Sequence, residues 1–387
     1  MPNLFWIVAI AFLVTACNSK QATPVDCITI DLPLKQTNHK IALSDLVDSL
    51  QYVPLETSDS SLIGAVDKLM VTDKGQILIL DKYVANALFQ FDQNGQFIRK
   101  IGRRGLGEGE YVEIEDFSYI DDKVMLWDVL SKRLLEYDFN GDFQCSYSFN
   151  FTAYSIHCIN AHRVAFCSEY TSNHALLKND EYPAIIYVDL LTGQIDGDLY
   201  FDSAISSEAY VTTLNNLSNG NFYLPLNDTI YQASVRGVER KYALRYKSSY
   251  LELKNEYIER TKDENIKASE ADENYQHSLY PHLITYFTCD NLDIFYMRMQ
   301  DYLYYGFYYP KERLYFESSA TRSIPVINDM DSIAMFAPRF SQNNVLFCIL
   351  DPSLVEDKSA LIKKGIEILD EDNPIIVKLF MKSSYNE

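Results

Sequence analysis

The sequence predicts an all-β chain, a six-bladed β-propeller with four-stranded blades and two helical insertions, from three observations. First, residues 75–101 (GQILILDKYVANALFQFDQNGQFIRKI) lie over residues 122–147 (DKVMLWDVLSKRLLEYDFNGDFQCSY) with one gap. Asp81 then matches Asp128, Asp92 matches Asp138, Asn94-Gly95 matches Asn140-Gly141 and Phe97 matches Phe143. Second, both copies place Asn-Gly between two apolar runs, the strongest short hairpin signal, for which a type I′ turn with positive φ at both central residues is expected. Third, aromatics reach 13%, with 29 Tyr and 21 Phe, which favours strands, while 14 Gly and 12 Pro are too few for a disordered or fibrous chain.

Each copy holds a run ending in Asp (ILILD, VMLWD), a run carrying aromatic-Asp (LFQFD, LLEYD), the Asn-Gly turn and a further run; the preceding runs at 68–72 and 117–120 complete four strands. Four-stranded units recurring every about 40 to 50 residues are what a propeller blade requires, and no such unit buries both of its faces alone. Weaker copies follow at 185–195, 219–238 and 291–316, and a last one takes in 344–350 and 374–381, so that about six units span residues 41–387. The strand around 51–55 is expected to complete the last blade and close the ring. Residues 251–275, rich in Glu and Lys, and 353–369, with Leu and Ile at near-helical spacing, are the two expected helical insertions.

The N-terminus reads as an export signal. Residues 4–14 (LFWIVAIAFLV) form an uncharged apolar run too short to span a bilayer, which takes about 20 residues. Val14-Thr15-Ala16-Cys17 resembles the lipobox of bacterial lipoproteins, in which the signal is removed and the Cys is acylated. This resemblance implies a signal peptide at 1–16, lipidation of Cys17, a polar tether over 17–40 and the propeller over 41–387. Asn18, rather than Asp, after the Cys points to an outer-membrane lipoprotein of the cell envelope, with the N-terminal lipid as the chain's only expected membrane contact.

Composition narrows the function. With 34 Lys+Arg against 54 Asp+Glu the net charge is −20, whose average field repels phosphate backbones and anionic lipid headgroups, so nucleic acid is excluded as a partner. Six Cys remain beyond Cys17 without any CxxC spacing, so zinc and redox motifs lack support; several sit in apolar runs and read as buried hydrophobes, although an even number in an exported chain permits disulfides. The six His show no metal-ligand spacing, and no cofactor motif is present. Asp92–Gly95 and Asp138–Gly141 are two residues short of a calcium loop and read as turns. The Tyr-rich run 302–309 could stack on a carbohydrate, but packing against a neighbouring blade is the favoured reading.

Several stretches carry a family resemblance: LQYVPLET (50–57), IGRRGLGEGEYVEIEDF (101–117), LNDTIYQ (226–232) and DNPIIVKLFMK (372–382). The chain resembles the six-bladed β-propeller lipoproteins of Gram-negative bacteria, which are NHL-repeat-like. Where that family often has Gly-Pro-Gly-Glu, this chain has Gly107-Glu108-Gly109-Glu110, which predicts a looser linker.

Glycine-rich 102–109 is no phosphate loop, for it lies between two strands and lacks Lys-Ser/Thr. It is the expected connection from one blade's outer strand to the next blade's inner strand, which sets Arg103, Arg104, Glu108 and Tyr111 near one mouth of the central channel. These four are the candidate ligand-face residues. Two functions compete. One is a binding or protein-interaction module recognising a glycan, a peptide or an envelope protein; the other is a propeller hydrolase or lyase with a metal held in the channel by three or more Asp, Glu, His or Asn side chains.

Overall fold

The computed structural model describes residues 27–202, 219–224, 227–247, 252, 281–355 and 357–384. Six four-stranded sheets succeed one another along the chain. Blade 1 is built from Lys68–Val71, Ile77–Asp81, Ala87–Phe91 and Phe97–Ile101. Blade 2 is built from Ile114–Ile120, Lys123–Asp128, Arg133–Asp138 and Phe143–Ser148, and blade 3 from Ser155–Asn160, Arg163–Cys167, Glu181–Asp189 and Ile195–Asp202. Blade 5 takes His282–Cys289, Leu292–Met299, Tyr302–Tyr309 and Leu314–Thr321. Blade 6 joins Pro338–Gln342, Val345–Leu350 and Ile375–Met381 to the N-terminal Val47–Pro54, which pairs antiparallel with Ile375–Met381. The ring therefore closes through the strand expected to close it.

The hydrophobic pattern explains why the blades stack. Ile77–Asp81 is buried at every position, because both faces of a central strand meet a neighbour, whereas the outer strand Phe143–Ser148 alternates between half-buried and exposed. Within blade 1, Ile77 and Ile79 pack with Phe340, Phe347 and Ile376 of blade 6, while Leu78 and Leu80 pack with Phe117, Val124 and Leu126 of blade 2. Six such cores lie between successive blades around the whole ring. Each fully buried Leu, Ile or Phe contributes about 1.5–3 kcal/mol, and these side chains are covered by the blade beside their own. The Tyr-rich strand is core: Tyr304, Tyr305, Phe307 and Tyr309 are buried between blades.

Three details depart from the expected picture. In both Asn-Gly hairpins only Gly95 (φ +86°) and Gly141 (φ +81°) are left-handed, and Asn94 and Asn140 are not. Asp92 Oδ1 accepts the N–H groups of Asn94 and Gln96, and Asp138 Oδ1 those of Asn140 and Asp142, so each turn is an Asp-capped loop with a glycine bulge rather than a type I′ turn. Second, the expected tether is partly sheet. Ile28–Asp31 pairs parallel with Gly237–Arg245 on the edge of blade 4, beside Thr229–Ser234 and Asn221–Phe222. The chain then crosses blade 5, where the Glu317 carboxylate accepts from the backbone N–H of Leu34 (3.1 Å) and Lys35 (2.6 Å). Ile41–Ala42 next pairs with Val326–Ile327. Buried Ile30, Leu32 and Leu34 hold this strap down, an apolar i, i+2, i+4 pattern that its polar neighbours obscured.

Third, the insertion at 353–369 contains only a 3-10 turn, Pro352–Leu354, and a five-residue helix, Ser359–Lys363; the other expected insertion, 251–275, lies outside the described residues except for 252. A further short helix, Leu43–Leu46, precedes the closing strand. No disulfide links the described Cys. Cys158, Cys167, Cys289 and Cys348 are buried, and burial pushes the thiols of Cys158, Cys289 and Cys348 up to about 12.

Candidate functional site

Antiparallel blades place the second-to-third-strand loops and the blade-to-blade linkers on one face. The linker from blade 1 to blade 2 stands there as a small arch. Arg103–Arg104 pairs parallel with Glu110–Tyr111, and the Gly105 N–H donates to the Tyr111 carbonyl at 2.8 Å. Two positions demand glycine: a Cβ on Gly102 (φ +69°) would stand 2.7 Å from the Tyr137 hydroxyl, and one on Gly109 (φ +66°) 2.7 Å from the Phe143 ring.

Glu110 organises the arch. Its carboxylate accepts the Gly107 N–H at 2.7 Å and meets Arg103 Nε at 2.6 Å, while its carbonyl accepts from Arg133 at 2.8 Å. The expected looseness from the missing proline is thus corrected, since these bonds hold the loop without it. The Gly107 N–H and then the Arg103 guanidinium lower the Glu110 pKa. A lowered carboxylate pKa gives stability above the unfolded-state value that is lost as pH falls through the folded one. Hydrogen exchange at the Gly107 amide is therefore expected to accelerate below the normal carboxylate range relative to intrinsic exchange, and Glu110→Gln should remove that dependence.

Of the four candidate residues, Arg103, Arg104 and Glu108 are exposed on the arch. Tyr111 is buried beneath it, donating its hydroxyl to the Asn86 carbonyl at 3.0 Å, and burial pushes that hydroxyl up to about 12. Tyr111 therefore positions the loop, and its place at the surface is a correction: its aromatic ring completes the core between blades 1 and 2.

The Asp residues that end the second strands carry the same face. Asp81, fully buried, accepts the N–H groups of Gly64 (2.7 Å), Ala65 (3.1 Å), Val84 (2.9 Å) and Ala85 (2.9 Å). Its counterpart Asp128 accepts those of Val112 (2.8 Å) and Ser131 (3.2 Å). One carboxylate thus ties the incoming linker to the loop that follows its own strand, which is why the Asp repeats in the sequence. These loops then present apolar tips: Leu106 is 88% exposed, Tyr83 74% and Leu130 63%. Sequence reasoning missed them, although apolar residues directly after the strand-ending Asp, where a turn is normally polar, were the available signal.

Nearer the axis, the Lys68 ammonium donates to Asp116 (2.7 Å) and to the Phe117 carbonyl (2.8 Å), and the second Asp116 oxygen accepts the Ile156 N–H at 2.7 Å. This buried chain joins the inner strands of blades 1, 2 and 3. Burial, together with nearby Lys68, lowers the His157 imidazole to about 4, which keeps it neutral. No group of three or more His, Cys, Asp or Glu able to hold a metal occurs among the described residues.

The family described as "Domain of unknown function (DUF4934)" matches residues 27–380, from the strap to the last strand. The chain belongs to the DUF4934 family. No curated protein matches the DUF4934 chain. Among solved structures, it is similar to a Bacteroides fragilis protein whose name describes it as exported, at 18% identity and a TM-score of 0.69, over 92% of this chain and 99% of that one. It is also similar to a member of the DUF4221 family from Bacteroides vulgatus, at 11% identity and a TM-score of 0.51, over 87% and 97% of the two chains. At these identities the likeness is one of fold.

Proposed function

We propose that this DUF4934 protein is an exported, lipid-anchored propeller acting as a protein-interaction module in the cell envelope, with the linker face as its binding surface. One observation carries the reading: exposed apolar side chains concentrate on that face. Blades 1 to 3 and their linkers contribute Leu62, Tyr83, Val84, Leu106, Leu130 and Leu177. The linker into blade 6 and the insertion within it add Ile327, Met335, Leu354, Ile362 and Leu369. Among the described residues the other five large exposed apolar side chains, Ile28, Leu191, Ile195, Val235 and Phe380, are spread over strand edges and hairpin tips. Apolar surface gathered in this way marks interaction sites.

Ten of these eleven side chains are non-aromatic, Tyr83 being the exception, and beside exposed Arg103 and Arg104 they favour a peptide or protein segment carrying apolar and acidic residues over a glycan, which takes aromatic platforms. The exported name of the Bacteroides fragilis relative supports the envelope compartment, and the lipobox-like residues ending in Cys17 support the anchor. In-cell crosslinking tests the reading: the wild-type chain is expected to capture a discrete envelope partner. Leu106→Asp with Leu130→Asp should lose it while circular dichroism stays unchanged. Equal capture by both chains would refute the assigned face, and no captured envelope protein would refute the module.

A further inference from the structure

We infer that the edge of blade 4 and the strap crossing blade 5 form a membrane-facing surface that binds anionic lipid headgroups. The inference deepens the lipid-anchor reading and rests on it for the position of the anchor. Cys27, where the described chain begins at the edge of blade 4, lies ten residues after Cys17. Ten residues reach at most about 36 Å however they are folded, so an acyl chain on Cys17 keeps this edge of the ring within that distance of the bilayer.

The charge agrees with that placement. Residues 27–42 and 235–247 carry seven Lys or Arg against two acids, in a chain whose net charge is −20. Both acids are already paired, Asp31 with Arg245 and Glu239 with Arg236. Lys35, Lys40, Arg240 and Lys247 are exposed and have no carboxylate partner among the described residues. The adjoining outer strand of blade 3, Ile195–Asp202, is acidic, with Asp196 and Asp198, and lies outside the basic surface. Blade 1 stands opposite blade 4 in a ring of six, which turns Tyr83, Leu106 and the arch away from the bilayer, where a partner can reach them.

The test uses the Cys17→Ala chain exported through an ordinary cleavable signal, mixed at low salt with vesicles of phosphatidylcholine alone or with added phosphatidylglycerol. Binding is expected only with phosphatidylglycerol, and is expected to vanish near about 1 M salt, where screening acts within about 3 Å. Lys35→Glu, Arg240→Glu and Lys247→Glu together should weaken it about a hundredfold with the circular dichroism spectrum unchanged. Should that variant fail to fold, the Gln substitutions at the same positions should give a graded loss. Equal binding to both vesicle types, or binding indifferent to the neutral substitutions, overturns the inference. Mass spectrometry of the mature N-terminal peptide separately decides the anchor: an unmodified Cys17 refutes lipidation and leaves the headgroup contact to the vesicle result.

Discussion

Asp81→Ala is expected to lower the free energy of unfolding by at least about 3 kcal/mol, read as a shift of the urea midpoint at constant slope. The fully buried carboxylate accepts four backbone N–H groups, two from the linker out of blade 6 and two from its own loop. Each donor left without a partner costs about 1–3 kcal/mol, offset where water can enter the loop. Asp92→Ala is the control. Its carboxylate also accepts two N–H groups, from Asn94 and Gln96, but in an exposed turn where water replaces it, so a loss of about 1 kcal/mol is expected. Equal losses for the two variants would show that Asp81 does not join linker to blade.

Lys68→Met is expected to cost about 3–5 kcal/mol, because it leaves Asp116 buried without its cation. The pH dependence has a definite sign. Burial already raises the Asp116 pKa, and removing the ammonium 2.7 Å away raises it further. A raised carboxyl pKa means that the folded state binds the extra proton, so stability is lost as pH rises through the interval between the unfolded and folded values. The deficit of Lys68→Met should shrink as pH falls through that interval. Adding Asp116→Asn to Lys68→Met should recover part of the loss at neutral pH, since the amide oxygen still accepts the Ile156 N–H without a buried charge. A double variant no more stable than the single one would assign the effect to the lost contact of the Lys68 ammonium with the Phe117 ring, 5.3 Å from its centroid, rather than to the ion pair.

The same distinction between local and assembled structure explains what was legible. Blades 1 and 2 could be read directly, since Asp81 and Asp128 serve identical turns and the residues between them alternate towards two neighbours. The linker's path was also readable, because Gly102 and Gly109 meet aromatic side chains that only glycine accommodates. Tyr111 was misplaced because an aromatic residue beside charged ones looks the same in sequence whether its ring lies above or below the arch. The strap was missed because its apolar Ile30, Leu32 and Leu34 bury against blades lying some two hundred residues later, a distance at which sequence periodicity names no partner.

Local patterning alone determined that this protein is a β-propeller: runs that are apolar on both sides must be covered twice, and repetition of one unit supplies both covers from its neighbours. Tertiary structure alone decided which face is apolar and which edge is basic. Those surfaces are assembled from loops and strands far apart in the chain, and exposure is a property of what packs on a residue rather than of the residue itself.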